Sequence, residues 1–132
     1  MNQAAMNQYQ TVGVQCGVTD ASPHQLIAML LTGALDRIAS AKGAVARGDV
    51  QRKGELLSAA IAIIDSLRAS LDREQGGEIA ANLADLYDYI EQRLVEANLA
   101  SNGAILDEVS ALLVQIRAGW ESIPQEYRSM QS

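Results

Sequence analysis

The stretch Thr19-Asp20-Ala21-Ser22-Pro23-His24-Gln25-Leu26-Ile27-Ala28-Met29-Leu30-Leu31-Thr32-Gly33-Ala34-Leu35 decides the fold. Ser22 offers a hydroxyl oxygen to an unsatisfied amide of a first helical turn, and Gln25 can reach back to close a capping box. Pro23 suits the first helical position, where its fixed φ is already helical and its missing N–H is not needed. A helix therefore begins here. Leu26, Ile27, Met29, Leu30 and Leu31 then form a nearly continuous apolar band, about twice what one core-facing stripe requires. The spacing predicts a helix that packs against its own bundle on one side and against something else on another.

Downstream, Ile27, Leu30, Ala34, Ile38, Ala41 and Val45 recur at helical steps. Gly48 ends this helix and Asp49 can cap the next. The second helix is expected over Val50–Glu74, with Leu57, Ala60, Ile61, Ile64, Leu67 and Leu71 on one face and Leu56 and Ile63 left over beside it. Gly76 and Gly77 supply the backbone freedom for a stop and reversal. The third, Glu78–Leu99, places Ile79, Leu83, Leu86, Ile90, Leu94 and Ala97 inward and Tyr87 and Tyr89 on its flanks. After a break at Ala100–Gly103, where Asn102 is a suitable cap, the fourth carries Ile105, Val109, Leu112, Leu113, Ile116 and Trp120 and fades near Ile123 and Pro124. Four helices of about 20 residues, each roughly 30 Å long and joined by short connections, must fold back on one another. The expected fold is all-α, an antiparallel up-down-up-down four-helix bundle over 22–123, with an N-terminal arm at 1–21 and a C-terminal tail at 124–132. The tail holds Tyr127 and Met130 and receives no role.

Upstream, Met1 to Thr19 contains no charged side chain but carries Tyr9, Val12, Val14 and Val18. Disordered tails are usually kept in solution by charge. Two readings stand: an unstructured tail, or an arm whose Tyr9 and Val14 dock on an apolar surface of the bundle.

At 132 residues, the size is that of one domain with a real core. Phe is absent and Pro occurs twice, so helix propensity is high almost throughout. A net charge of -6 opposes attraction to phosphate backbones and anionic membranes, which argues against nucleic acid as a partner. With one cysteine, Cys16, no intrachain disulfide can form. Neither a secretory signal nor an apolar run of ~18 residues is legible, so no membrane insertion is expected and the cytosol is the expected location.

Catalytic chemistry finds no footing. A carboxylate-bridged di-iron bundle needs Glu-x-x-His on two helices, whereas the single histidine, His24, has Ala21 three residues before it. One Cys and one His cannot fill a zinc shell. A histidine phosphotransfer module needs only one exposed His on a helix, but His24 reads as a solvated residue beside a cap, without the small residues and cation a phosphoryl group requires. The acidic pairs Asp85/Asp88 and Asp107/Glu108 read as solvated helix faces. Lys42, Arg47, Arg52 and Lys53 cluster around the first turn, where the cations offset the helix dipole. Gly76-Gly77 follows no strand and precedes no Gly-Lys-Ser/Thr, so it is not a phosphate loop. The expectation is a non-enzyme with no catalytic residue, cofactor or metal.

What remains is surplus apolarity: Leu26, Met29 and Leu31 on the first helix, Leu56 and Ile63 on the second, Tyr87 and Tyr89 on the third. A wide core stripe or a homodimer face would account for it. So would an apolar groove that accepts an amphipathic segment from another chain, lined by Leu31, Leu56, Ile63, Tyr87 and Tyr89.

Specific segments carry a family resemblance: Tyr9-Gln10 followed by Val14, Ala21-Ser-Pro-His-Gln-Leu-Ile27, Met29-Leu30, Gly33-Ala-Leu35 and Ala41-Lys42. They continue with Lys53-Gly-Glu55, Ser70-Leu-Asp72, Gly76-Gly-Glu-Ile-Ala80, Asn82-Leu83, Leu86-Tyr-Asp-Tyr-Ile90 and Ala97-Asn98. In their order and spacing the chain resembles, over essentially its whole length, the flagellar secretion chaperones of flagellin, the FliS family. The resemblance implies a cytoplasmic antiparallel bundle that binds the disordered C-terminal segment of flagellin, prevents premature polymerisation and delivers it to the flagellar export apparatus. It also implies that the arm, through Tyr9 and Val14, covers part of the groove until the client displaces it. Leu31-Thr32 stands where the family often has Tyr-Asp, Asp20 lengthens the usual Thr-Ala-Ser-Pro, and Gly103 replaces a frequent Pro. A generic helical-bundle adaptor or a histidine phosphotransfer module is the alternative.

Overall fold

The structure is a computed structural model that describes residues 22–123. Four helices make an all-α bundle: α1 (Pro23–Arg47), α2 (Val50–Ala69), α3 (Arg73–Ala100) and α4 (Gly103–Ser122). The expected arm, with Tyr9 and Val14, and the tail, with Tyr127 and Met130, lie outside the described residues.

The caps form as their chemistry requires. Ser22 Oγ accepts the Gln25 amide at 3.2 Å while Gln25 Oε1 accepts the Ser22 amide at 2.8 Å, a reciprocal capping box. Gly48 closes α1 in the left-handed region, φ 70°, and Asp49 caps α2 by accepting the Arg52 amide. Asn102 caps α4 through the Ala104 amide.

The end of the second helix differs from expectation. α2 stops at Ala69 rather than running to Glu74. Asp72, read from the sequence as mid-helical, accepts the Gln75 amide at 3.1 Å and starts a new turn, while the Ser70 hydroxyl donates back to the Leu67 carbonyl. A short carboxylate offers the backbone an alternative to the helical ladder, and here the alternative prevails. The reversal is therefore divided between Ser70–Asp72 and Gly77, whose φ of 53° and ψ of -127° interrupt α3 in a conformation that favours glycine.

The helices meet in a ring, α1 with α2, α2 with α3, α3 with α4 and α4 with α1; α1–α2 is the most extensive contact and α3–α4 the slightest. Ties between distant residues show the antiparallel order. His24 meets Trp120 and Lys42 meets Asp107 across α1–α4. Arg68 meets Asp88 and Lys53 reaches Asn98 across α2–α3.

The core is built from Ile27, Leu30, Leu31, Ala34 and Ile38 of α1 with Leu57, Ala60, Ile64 and Leu67 of α2. Tyr87, Ile90 and Leu94 of α3 and Leu106, Val109, Leu113 and Trp120 of α4 complete it. Each of the leucine, isoleucine and valine side chains among them contributes about 1.5–3 kcal/mol when fully withdrawn from water. Three positions correct the helical-wheel expectation. Tyr87, expected on a flank, is fully buried. Leu106, which was not expected inside, is fully buried, whereas Ile79, expected inside, is 58% exposed. Ile79 sits just after the Gly77 break and along the slightest helix contact, where no described helix covers it.

Candidate protein-binding surface

His24 is engaged rather than solvated. Its Nε2–H donates to the Trp120 carbonyl at 2.8 Å, the Trp120 indole N–H donates to the His24 carbonyl at 2.9 Å, and the rings stack with centroids 4.5 Å apart. This reciprocal clasp joins the start of α1 to the end of α4 and engages one of the two ring nitrogens that a phosphotransfer role could use. Of the two acidic pairs, every member but Asp85 also has structural work. Asp88 accepts from Arg68, Asp107 pairs with Lys42, and Glu108 pairs with Arg93. Among the described residues no cluster of His, Cys, Asp or Glu could hold a metal ion.

Sequence reasoning missed the role of Lys53. It is only 5% exposed, and its ammonium donates to the Asn98 carbonyl at 2.8 Å and to Ser101 Oγ at 2.6 Å. A cation of α2 thus satisfies the carbonyl end of α3, where the dipole is negative. Only the pairing of helices, not the position of Lys53 in its own helix, could have revealed this.

The surplus apolar residues divide into two groups. Leu31 and Tyr87 are fully buried, and Leu56 and Ile63, 8% and 7% exposed, pack into the core. Ile63 lies against Gly33 of α1, its Cδ1 3.7 Å from where a Cβ on that glycine would stand. Leu56 and Ile63 looked redundant because α2 was read as burying one stripe, whereas it sits between two neighbours and buries a wider face. On α1, Leu26 is half-buried against the core and Met29 lines an open concavity with Thr32, Gly33 and Glu121. Of the expected groove residues, Tyr89 is the one that stays open, at 41%.

Tyr89 leads to the least complete part of the bundle. Its hydroxyl donates to Glu108 at 2.8 Å and Arg93 Nε donates to the same carboxylate at 2.8 Å. Those two bonds, Arg93 first, hold Glu108 below the ordinary carboxylate range, and the bond to Glu108 pushes Tyr89 above the ordinary phenol range. This cluster ties α3 to α4 at one level. From there toward the start of α3, no further ion pair joins the two helices among the described residues. Leu86 and Leu83 on α3, and Leu112 and Ile116 on α4, are half-buried, and Ile79 beyond them is exposed. The antiparallel register set by Tyr89–Glu108 brings Leu86 level with Leu112 and Leu83 level with Ile116. Half of the α3–α4 seam is thus a partly covered apolar strip that ends in the exposed Ile79. Such a strip suits an amphipathic segment laid between two helices.

The fold and this strip define an all-α helical bundle with a partly uncovered apolar surface of the kind on which helices dock. Residues 5–127 match the family model described as flagellar protein FliS. The chain is 50% identical over 119 residues to a flagellar secretion chaperone, FliSB, of Pseudomonas aeruginosa, covering 90% of this chain and 94% of the relative. It is 49% identical to the flagellar secretion chaperone FliS of Salmonella typhimurium, over 87% of this chain and 86% of that one. The Bacillus subtilis flagellar secretion chaperone FliS is 35% identical, over 95% and 92% of the two chains. This chain belongs to the FliS family of flagellar secretion chaperones, as its residues suggested. Among the described residues no helix is long and apolar enough to cross a membrane.

Proposed function

We propose that this protein is a cytoplasmic, non-enzymatic export chaperone that binds the disordered C-terminal segment of flagellin, keeps it from polymerising early and passes it to the flagellar export apparatus. The observation that carries the reading is the half-open α3–α4 seam, with Ile79 at 58% exposure beside half-buried Leu83 and Leu86, in a chain of a chaperone family. A flagellin terminus is an assembly-competent amphipathic strip, and its chaperone must cover the apolar face that the filament later buries. Ordering that segment costs roughly 2–5 kcal/mol, which a contact on the order of 1,000–3,000 Å² offsets.

In this reading Tyr89 touches the client directly at the edge of the seam. Leu31, Leu56, Ile63 and Tyr87 act from the core beneath, through packing and not through contact with the client. Tyr9 and Val14 of the arm cover part of the same strip until the client displaces them. Deleting residues 1–18 then tightens flagellin binding or leaves it unchanged; a large loss would make the arm part of the site. The direct experiment is a titration of the last ~40–60 residues of flagellin into the full-length protein, followed by circular dichroism. Saturable gain of helix supports the proposal. Absence of binding, or a stable homodimer that buries the seam and excludes the peptide, refutes it.

A further inference from the structure

We infer that the open half of the α3–α4 seam selects an amphipathic helix carrying two basic residues about one heptad apart on a single flank of its apolar stripe. The inference rests on the binding reading above and specifies the partner's chemistry. The floor of the strip is Ile79, Leu83 and Leu86 of α3 with Leu112 and Ile116 of α4. From Ile79 to Tyr89 it runs about 15 Å, room for some three turns of a docked helix.

The two banks of this strip are chemically unlike. On α3 the outer bank carries Glu78, Asn82, Asp85 and Tyr89, all exposed and spaced as one helical stripe. On α4 the bank begins at Glu108, whose carboxylate is already engaged by Arg93 and Tyr89, and continues with Ala111, Gln115 and Ala118, exposed and small or neutral, so a helix can approach that part closely without meeting charge. Among the described residues Glu78 and Asp85 have no ion-pair partner. Of the cations on these two helices, Arg93 pairs with Glu108 and Glu96 and Arg117 reaches Thr32 of α1, while Arg73, ahead of the Gly77 break, forms no ion pair with either acid. Glu78 and Asp85 are seven residues apart, two helical turns, so they face the same way about 10 Å apart along α3. A helix lying in the seam presents positions one heptad apart at the same spacing. Lys or Arg at both meets Glu78 and Asp85, acidic residues there are repelled, and a basic flank on the opposite side finds alanine, glutamine and a carboxylate already paired with Arg93. The one-sided charge therefore fixes which way round the helix sits.

The test uses three synthetic helical peptides of about 20 residues with one common apolar stripe. Two flank positions a heptad apart are both Lys, both Gln or both Glu, and binding to the full-length protein is read by fluorescence anisotropy. Exposed ion pairs of this kind are modest, so the Lys peptide should bind roughly 3- to 20-fold tighter than the Gln peptide at low salt, and the Glu peptide more weakly than either. Glu78→Gln with Asp85→Asn, both at exposed sites where folding is unaffected, should erase the ranking, as should about 1 M salt. Equal binding of all three peptides to the unmodified protein overturns the charge inference and leaves the seam reading standing. A Lys preference that survives the double substitution overturns it too. If no peptide binds, the seam reading itself fails.

Discussion

The α1–α2 and α3–α4 seams are built from the same residue types and differ in completeness. Between α1 and α2 the contact is the most extensive in the bundle, and Ile63 fits against the bare backbone of Gly33. Between α3 and α4 the contact is slightest; one Tyr89–Glu108–Arg93 cluster pins it, and apolar side chains beyond that cluster meet water. A closed seam contributes to stability alone. An open one gives up part of that stability and keeps a surface that another helix can complete. The difference explains how a chain of this size can be well folded and still hold apolar area in reserve.

The sharpest way to break this contrast is paired truncation. Ile63→Ala should cost about 2–5 kcal/mol, since the methylenes it removes are packed and the site cannot collapse. Ile79→Ala should change stability by no more than about 0.5 kcal/mol while weakening the flagellin peptide. Urea denaturation of both variants measures the difference, and similar losses would end the distinction between the seams. Next in size is Lys53→Met, expected to cost about 1–3 kcal/mol because the Asn98 carbonyl loses its charged donor in a buried place. Gly77→Ala should cost about 1–3 kcal/mol through backbone strain alone, since a Cβ there meets nothing within 4 Å. Thermal melts of these two variants check whether the ends of α3 are held as described.

The smallest effect concerns pH. Burial, then the neighbouring Asp65 carboxylate, raises the Glu91 carboxyl above its ordinary range. A raised acid binds its proton more tightly in the folded than in the unfolded state, so stability falls as pH rises from the unfolded value through the folded one. A penalty remains at neutral pH. Glu91→Gln should therefore add a few tenths of a kcal/mol at pH 7, a small figure because the group is only half-buried and partly screened by water. The gain should vanish below about pH 4, where both states are protonated. Denaturation midpoints at the two pH values read it out.

Much of the bundle was legible because local chemistry decided it. Ser22, Gly48, Asp49 and Asn102 act through backbone groups within a few residues of themselves, and each does what its position implied. Asp72 was misread because its competing cap lay inside an otherwise continuous apolar pattern. Lys53, His24 and Tyr87 were misread for a different reason: their partners or their burial come from other helices. Periodicity gave the stripe on α3 but not how far α4 would cover it. Thus the inward set named Ile79, where the bundle is open, and the flank set named Tyr87, where it is closed.

The most direct test is amide hydrogen exchange on the full-length protein with and without the flagellin C-terminal segment. Added protection should concentrate on residues 78–90 of α3 and 108–119 of α4, with α1 and α2 nearly unchanged. Protection confined to α1 and α2, or none at saturating peptide, would contradict the assignment of the open seam as the binding surface.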